Sequence, residues 1–197
     1  MSDATVSVPI MEVETWDART LTLDQARAIG ELLAKVWPKP NFTAEDRAQQ
    51  QIAFGRGYSG PPEHAPRSFV VLEEEQVLAH ALIFGRTVRS AAGELTIAAL
   101  ARVCSNPDQR GRGLGEAVVR AAFGPVDSGE FPFSLFQTSH RVRPFYEKIG
   151  AVLATNPVIN SLAEGPKANP FWDEIVMRYP AHGDWPAGTI DLRGPGY

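Results

Sequence analysis

The sequence has one cysteine, Cys104, in 197 residues, which excludes an intrachain disulfide and a cysteine-rich zinc site. It has no run approaching the ~20 apolar residues of a membrane-spanning helix. Its first residues, MSDATVSVPIMEVETW, lack the basic segment and apolar core of a signal peptide. A cytoplasmic protein that contacts no membrane is the expectation. Positive charge is not in excess either: 19 Lys and Arg face 23 Asp and Glu, a net charge of −4, which speaks against a nucleic-acid partner. No metal site is expected, and there is no internal repeat. With 44% hydrophobic and 21% charged residues, the chain has an ordinary globular composition and enough length for one sizeable core. In excess are glycine and proline, 17 and 16 residues, or about 17% against roughly 12% on average.

Hydrophobic periodicity places the elements. Val6, Val8 and Ile10 alternate in a first strand over 5–14. Thr22 and Gln25 form a capping box before Ala26, Ile29, Leu33, Val36 and Trp37, which recur at helical spacing until Pro38. A second helix is expected from Thr43 to Gly55, then a loop over 55–67. Three strands at 68–73, 76–86 and 94–105 are too closely connected for crossovers and make an antiparallel meander. Leu114, Ala117, Val118, Ala121 and Ala122 then mark an amphipathic helix. A strand at 132–138, a helix at 141–149 ending at Gly150, and strands near 151–159 and 173–179 follow. The fold class is mixed α/β, with a mostly antiparallel central sheet flanked by helices. One domain over 1–180 precedes a Gly/Pro-rich tail, 181–197, expected to run over the surface.

The chemistry concentrates where a β-run ending at Val103, Cys104 and Ser105 feeds the turn Asn106-Pro107-Asp108-Gln109-Arg110-Gly111-Arg112-Gly113-Leu114-Gly115, which opens the amphipathic helix. Glycines let a ligand approach the backbone. The first helical N–H groups have no internal partners, and the helix dipole favours an anion there. Arg110 and Arg112 add positive charge. The pattern is a pyrophosphate cradle, but neither the GxGxxG of a dinucleotide fold nor the GK[ST] of a Walker loop is present.

Arg110-x-x-Gly113-x-Gly115, together with Pro144-Phe145-Tyr146-Glu147-Lys148-Ile149-Gly150-Ala151 thirty-odd residues later, resembles the GCN5-related N-acetyltransferase (GNAT) superfamily. The first motif is similar to its acetyl-CoA pyrophosphate loop, the second to the end of its "LYEKLGF" helix. The resemblance covers 68–155 best. It implies acetyl-CoA as the cofactor, with backbone at Val103, Cys104 and Ser105 on the pantetheine arm and backbone from Arg110 through Gly111, Arg112, Gly113 and Leu114 to Gly115 on the pyrophosphate. It implies a strand at 133–138 splayed from its neighbour, with Ser139 where many members carry a pantetheine-contacting asparagine.

The implied reaction is acetyl transfer to a primary amine of a small molecule or peptide by direct attack on the thioester. Tyr146 matches the family's general acid. The glutamate that many relatives carry before the loop has no counterpart in Ala98-Ala99-Leu100-Ala101-Arg102. His80 is then the candidate base, beside its bland role as a satisfied core histidine; His140 and Glu94 are further candidates. Cys104 next to the thioester is a conceivable nucleophile or a small buried hydrophobe. Arg102 is odd in an apolar strand and either reaches the substrate cleft or pairs with a carboxylate. Trp37, Phe42, Phe54 and Tyr58 either line an acceptor pocket or pack the core. Asp184-Trp185 and the end of the tail resemble, over a short stretch, the aminoglycoside 2′-N-acetyltransferases, which implies Asp184 and Asp191 as contacts for a polyamine-like acceptor. A non-catalytic acyl-CoA-binding module is the alternative, and whether the chain forms a homodimer is left open.

Overall fold

A computed structural model describes residues 12–165 and 169–197. In chain order the elements are β1 (Glu14–Asp17), α1 (Leu23–Val36), α2 (Ala44–Arg56), β2 (Arg67–Glu73), β3 (Gln76–Ser90), β4 (Gly93–Ser105), α3 (Leu114–Asp127), β5 (Ser134–Thr138), α4 (Arg143–Lys148), β6 (Val152–Leu153), β7 (Val158–Ile159), β8 (Ile175–Tyr179) and β9 (Ile190–Asp191). The sheet runs β1-β2-β3-β4-β5-β8-β6, and β9 joins β3 to β7. β2, β3 and β4 form the antiparallel meander read from the short connections, and β1 adds to its edge antiparallel to β2. Helix α3 is the crossover that makes β5 parallel to β4.

Local chemistry explains the boundaries. Both N-terminal helices open on capping boxes, Thr22 with Gln25 and Thr43 with Asp46, each contributing about 1 kcal/mol. They pack tightly where Gly30 of α1 meets the backbone of Ala44 and Ala48, so a side chain at residue 30 would collide with α2.

Both faces of the meander are covered, which is why β3 and β4 read as nearly unbroken apolar runs. Ala81, Ile83, Ala98 and Leu100 turn to one face, with Val118, Val119, Ala122 and Phe123 of α3. Leu82, Phe84, Ala99 and Ala101 turn to the other, with Ile29, Leu32 and Leu33 of α1. The alternation has one break. His80 stands opposite Cys104 but Leu82 opposite Ala101, so β4 holds an extra residue. Arg102 takes it up in a left-handed backbone, φ 53°.

Several expectations need correction. The described part of the first strand is Glu14–Asp17; Val6, Val8 and Ile10 lie outside the described residues. The strand expected over 151–159 is two short ones, β6 and β7, on different partners, β8 and β9. The segment 181–197 does not run over the surface throughout. Ile190 and Leu192 are fully buried, with Val88, Ile97, Leu135 and Val158. Hydrophobic residues two apart on a short strand sufficed to draw the segment into the core despite its flanking glycines and prolines.

Candidate active site

Strands β4 and β5 pair at two positions, Ala98 with Ser134 and Ala99 with Leu135, and then part. Beyond Ala99 the edge of β4 that faces β5 has no partner strand among the described residues. Between the strands opens a cleft of about 850 Å³. Val103 and Arg102 of β4 line it, with Gln137, Thr138 and Ser139 at the end of β5, Tyr146 of α4, and Trp37, Arg47 and Phe54 from the N-terminal helices. An unpaired strand edge in a cleft is a template for an extended ligand bearing amide groups.

At the end of β4 the chain turns into α3. Asn106 anchors the turn: its N–H donates to the Leu78 carbonyl at 2.7 Å, and its side-chain oxygen accepts from the Asp108 N–H at 3.1 Å. Gly113 is the N-cap of α3, with φ 76°, and no side chain caps the helix. The first N–H groups of α3 therefore lack an internal acceptor. A Cβ built at Gly111 or Gly113 would point into open space, with no atom within 4 Å, so the glycines serve the left-handed backbone and an unobstructed approach rather than packing. Arg112 is held by Glu73 at 2.8 Å and Gln109 at 2.8 Å, while Arg110 is exposed.

Tyr146 is buried between Phe136, 4.6 Å away, and Phe145, 5.0 Å away, and still lines the cleft. Burial pushes its phenol well above its ordinary range, with the neighbouring Cys104 adding in the same direction. The phenol is thus a proton donor at neutral pH, and no hydrogen bond to its hydroxyl forms among the described residues. Ser139 is exposed at the cleft wall, and its carbonyl accepts the N–H groups of Val142 and Arg143, both at 3.0 Å.

A family model for the acetyltransferase (GNAT) domain matches residues 17–154. The chain belongs to the GNAT family. Solved structures agree on the fold. A GNAT N-acetyltransferase, YhbS of Escherichia coli in complex with CoA, is 13% identical over 94% of this chain and 92% of its own, with a TM-score of 0.62. The glucosamine-6-phosphate N-acetyltransferase of Arabidopsis thaliana is 18% identical over 70% and 89%, at 0.53. A GCN5-related N-acetyltransferase of Kribbella flavida is 19% identical over 72% of this chain, at 0.54, and this chain spans 33% of it. No curated protein matches the sequence.

Within this GNAT domain the remaining sequence candidates separate. His80 is completely buried. Its Nδ1 lies 3.0 Å from the Arg102 carbonyl and its Nε2 3.0 Å from the Ser68 hydroxyl, and it does not line the cleft. Burial holds it neutral, with a pKa lowered to about 4. Both nitrogens are engaged, so a route to a substrate amine is lacking; the geometry is that of a core histidine. Cys104 is buried, and burial pushes its thiol up, away from the nucleophilic thiolate. His140 pairs with Glu174 at 2.9 Å in solvent, and Glu94 pairs with Arg193 at the far end of β4.

Of the aromatics, Trp37 and Phe54 line the cleft. Phe42 lies under Arg47, and the Tyr58 hydroxyl donates to the Pro61 carbonyl at 2.9 Å. Asp191 accepts the N–H groups of Ser161 and Arg193, at 3.0 and 2.9 Å, and Asp184 is exposed; neither lines the cleft. The end of the tail, Tyr197, does line it, and so do Arg47, Gln137, Trp172 and Asp173, to which no sequence motif points. Tyr197 reaches the cleft because its hydroxyl donates to the Leu135 carbonyl at 2.9 Å and its carbonyl accepts from Gln137 at 2.6 Å. No local pattern announces such contacts; Arg102 carried the one usable signal, a charge in an apolar strand. Among the described residues no cluster of potential metal ligands forms.

Proposed function

We propose that this domain is an acetyl-CoA-dependent N-acetyltransferase that moves an acetyl group to a primary amine by direct attack on the thioester. The observation that carries it is the parting of β4 from β5. It leaves an unpaired edge for the amide groups of a pantetheine arm, ending at an uncapped helix N-terminus suited to the pyrophosphate. In transfer a C–N bond forms at the thioester carbon, the C–S bond breaks, the nitrogen loses a proton and the sulfur takes one. Tyr146, protonated and facing the cleft, supplies the proton to the departing sulfur. Val103 to Ser105 orient the pantetheine arm through their backbone, and Arg110 to Gly115 hold the phosphates.

The base is assigned to no buried side chain. Asp173 is the one acidic side chain among the lining residues, and water reaching the cleft is the other route for the ammonium proton. Free thiol released from acetyl-CoA with an amine panel is the test. Acetyl-CoA raises Tm by mass action in either case; binding without thiol release from any amine would leave a non-catalytic acyl-CoA-binding module.

A further inference from the structure

The side of the cleft next to α2 carries two arginines that no carboxylate pairs with among the described residues. Arg102 and Arg47 both line it. One Arg102 nitrogen donates to the side-chain oxygen of Gln51 at 2.6 Å, and its guanidinium lies 4.8 Å over the Phe54 ring. Gln51 is a buried, neutral residue. Arg47 donates to the Trp37 carbonyl at 2.8 Å and covers the Phe42 ring at 4.9 Å, while its Nε is buried without a partner. Neither arginine has a carboxylate within ion-pair distance among the described residues.

Elsewhere the chain pairs its arginines readily, as in Arg19 with Asp17 at 2.7 Å, Arg112 with Glu73 at 2.8 Å and Arg120 with Glu116 at 2.8 Å. Burial, and then the charge of Arg47, lower the pKa of Arg102 to about 10, which leaves it cationic at neutral pH. Two cations that repel each other in a partly dry cleft are an arrangement that an anion relieves. Asp173, which also lines the cleft, forms no ion pair with either arginine. The phosphates of the cofactor do not fill that role either, since the loop at 110–115 lies past the Ser105 end of β4 and contributes no residue to the lining of the cleft.

We infer that the acceptor is an amine that also bears an anionic group, a carboxylate or a phosphate, bound by Arg102 and Arg47. The inference rests on the acetyltransferase assignment above. The bulge in β4 is what aims Arg102: it places Arg102 beside α2, on the same side as Ala101, instead of on the opposite face. Gln51 and Phe54 then hold the guanidinium in place before the acceptor arrives, so little side-chain entropy remains to be lost on binding. A polycationic acceptor of the aminoglycoside kind meets like charge at this wall.

The test is kcat/KM at saturating acetyl-CoA for matched acceptors: glycine and β-alanine against their methyl esters, and O-phosphoethanolamine against ethanolamine. In Arg102→Gln the anion-to-neutral ratio is expected to fall about 10–100-fold from wild type, the loss of a charge-assisted hydrogen bond. Arg47→Gln, at a half-buried position of α2, moves it the same way and serves if Arg102→Gln does not fold. The carboxylate and phosphate pairs show which anion the site takes. Equal ratios in wild type and both variants overturn the inference while leaving acetyl transfer intact. If acetyl-CoA binds and no amine releases thiol, the transferase assignment falls instead. Calorimetric titration of N-acetylglycine and inorganic phosphate into the CoA-loaded protein then decides the anion site: binding that Arg102→Gln abolishes supports it, and no binding, or binding unchanged in that variant, overturns it.

Discussion

The two ends of the cleft are built from different materials. At the α3 end the ligand-facing surface is backbone: Gly111 and Gly113 in left-handed conformation and the uncapped first turn of a helix. At the α2 end it is side chain: Arg47 and Phe54 from α2, Arg102 from β4 and Trp37 from the end of α1. Backbone donors are the same whatever residues carry them, so in the proposed reading the first end suits a constant group, a phosphate. Side chains can be exchanged one at a time, so the second end can be retuned to another acceptor without disturbing the first.

Substitutions test that contrast. Tyr146→Phe removes the proposed proton donor, and is expected to lower kcat about 10²–10⁴-fold. Its effect on acetyl-CoA affinity is much smaller, as separate kcat and Kd measurements would show; the opposite split would make Tyr146 a packing residue of the cofactor end. Gly113→Val asks a β-branched residue to adopt φ 76°, costing about 1–2 kcal/mol, or up to roughly 30-fold in CoA affinity by calorimetry. Arg112→Ala, losing a side chain already held by Glu73, weakens CoA binding less. If Arg112→Ala proves the more damaging, the α3 end is made of side chains too and the contrast fails.

His80 supplies a stability test. The unfolded chain takes up its proton near 6.5 and the folded one only near 4. Stability is therefore full above pH 6.5 and falls as pH drops through that window, by up to about 3 kcal/mol. Denaturant midpoints between pH 7 and 4 follow this slope, and His80→Gln flattens it while costing about 1–3 kcal/mol at pH 7 through the Ser68 and Arg102 partners it unsettles. The smallest effect belongs to Cys104→Ala: turnover persists and roughly 1 kcal/mol of stability is lost. Abolished turnover with intact CoA binding would instead point to an acyl-cysteine step.

The same division explains what could be seen in advance. The cradle from Asn106 to Gly115 and the helix around Tyr146 are contiguous stretches whose chemistry is written in adjacent letters. The capping boxes at Thr22 and Thr43 and the alternation on β3 and β4 are equally local. The acceptor end is not local. Arg102 meets Gln51 across 51 positions, and Gln137 meets Tyr197 across 60. The extra residue in β4 shifts which side chains share a face, and periodicity counted along one strand does not register that shift without its partner. The burial of Ile190 and Leu192 was hidden for a different reason: a two-residue strand is too short to show a period among glycines and prolines.

The pairing of β9 with the C-terminal end of β3 also bears on how the molecule assembles. Arg86 holds the Leu192 carbonyl through two nitrogens, at 3.0 and 2.9 Å, across 106 residues of chain. Closing so long a loop is entropically slow and rewards the chain only after the meander exists. The meander and α3 can therefore condense early from near neighbours, with the tail annealing onto them last. In the finished protein the order is expected to reverse: the amides of Ile190 and Leu192, bonded to the Pro157 and Ile159 carbonyls, exchange with solvent before those of β3 and β4.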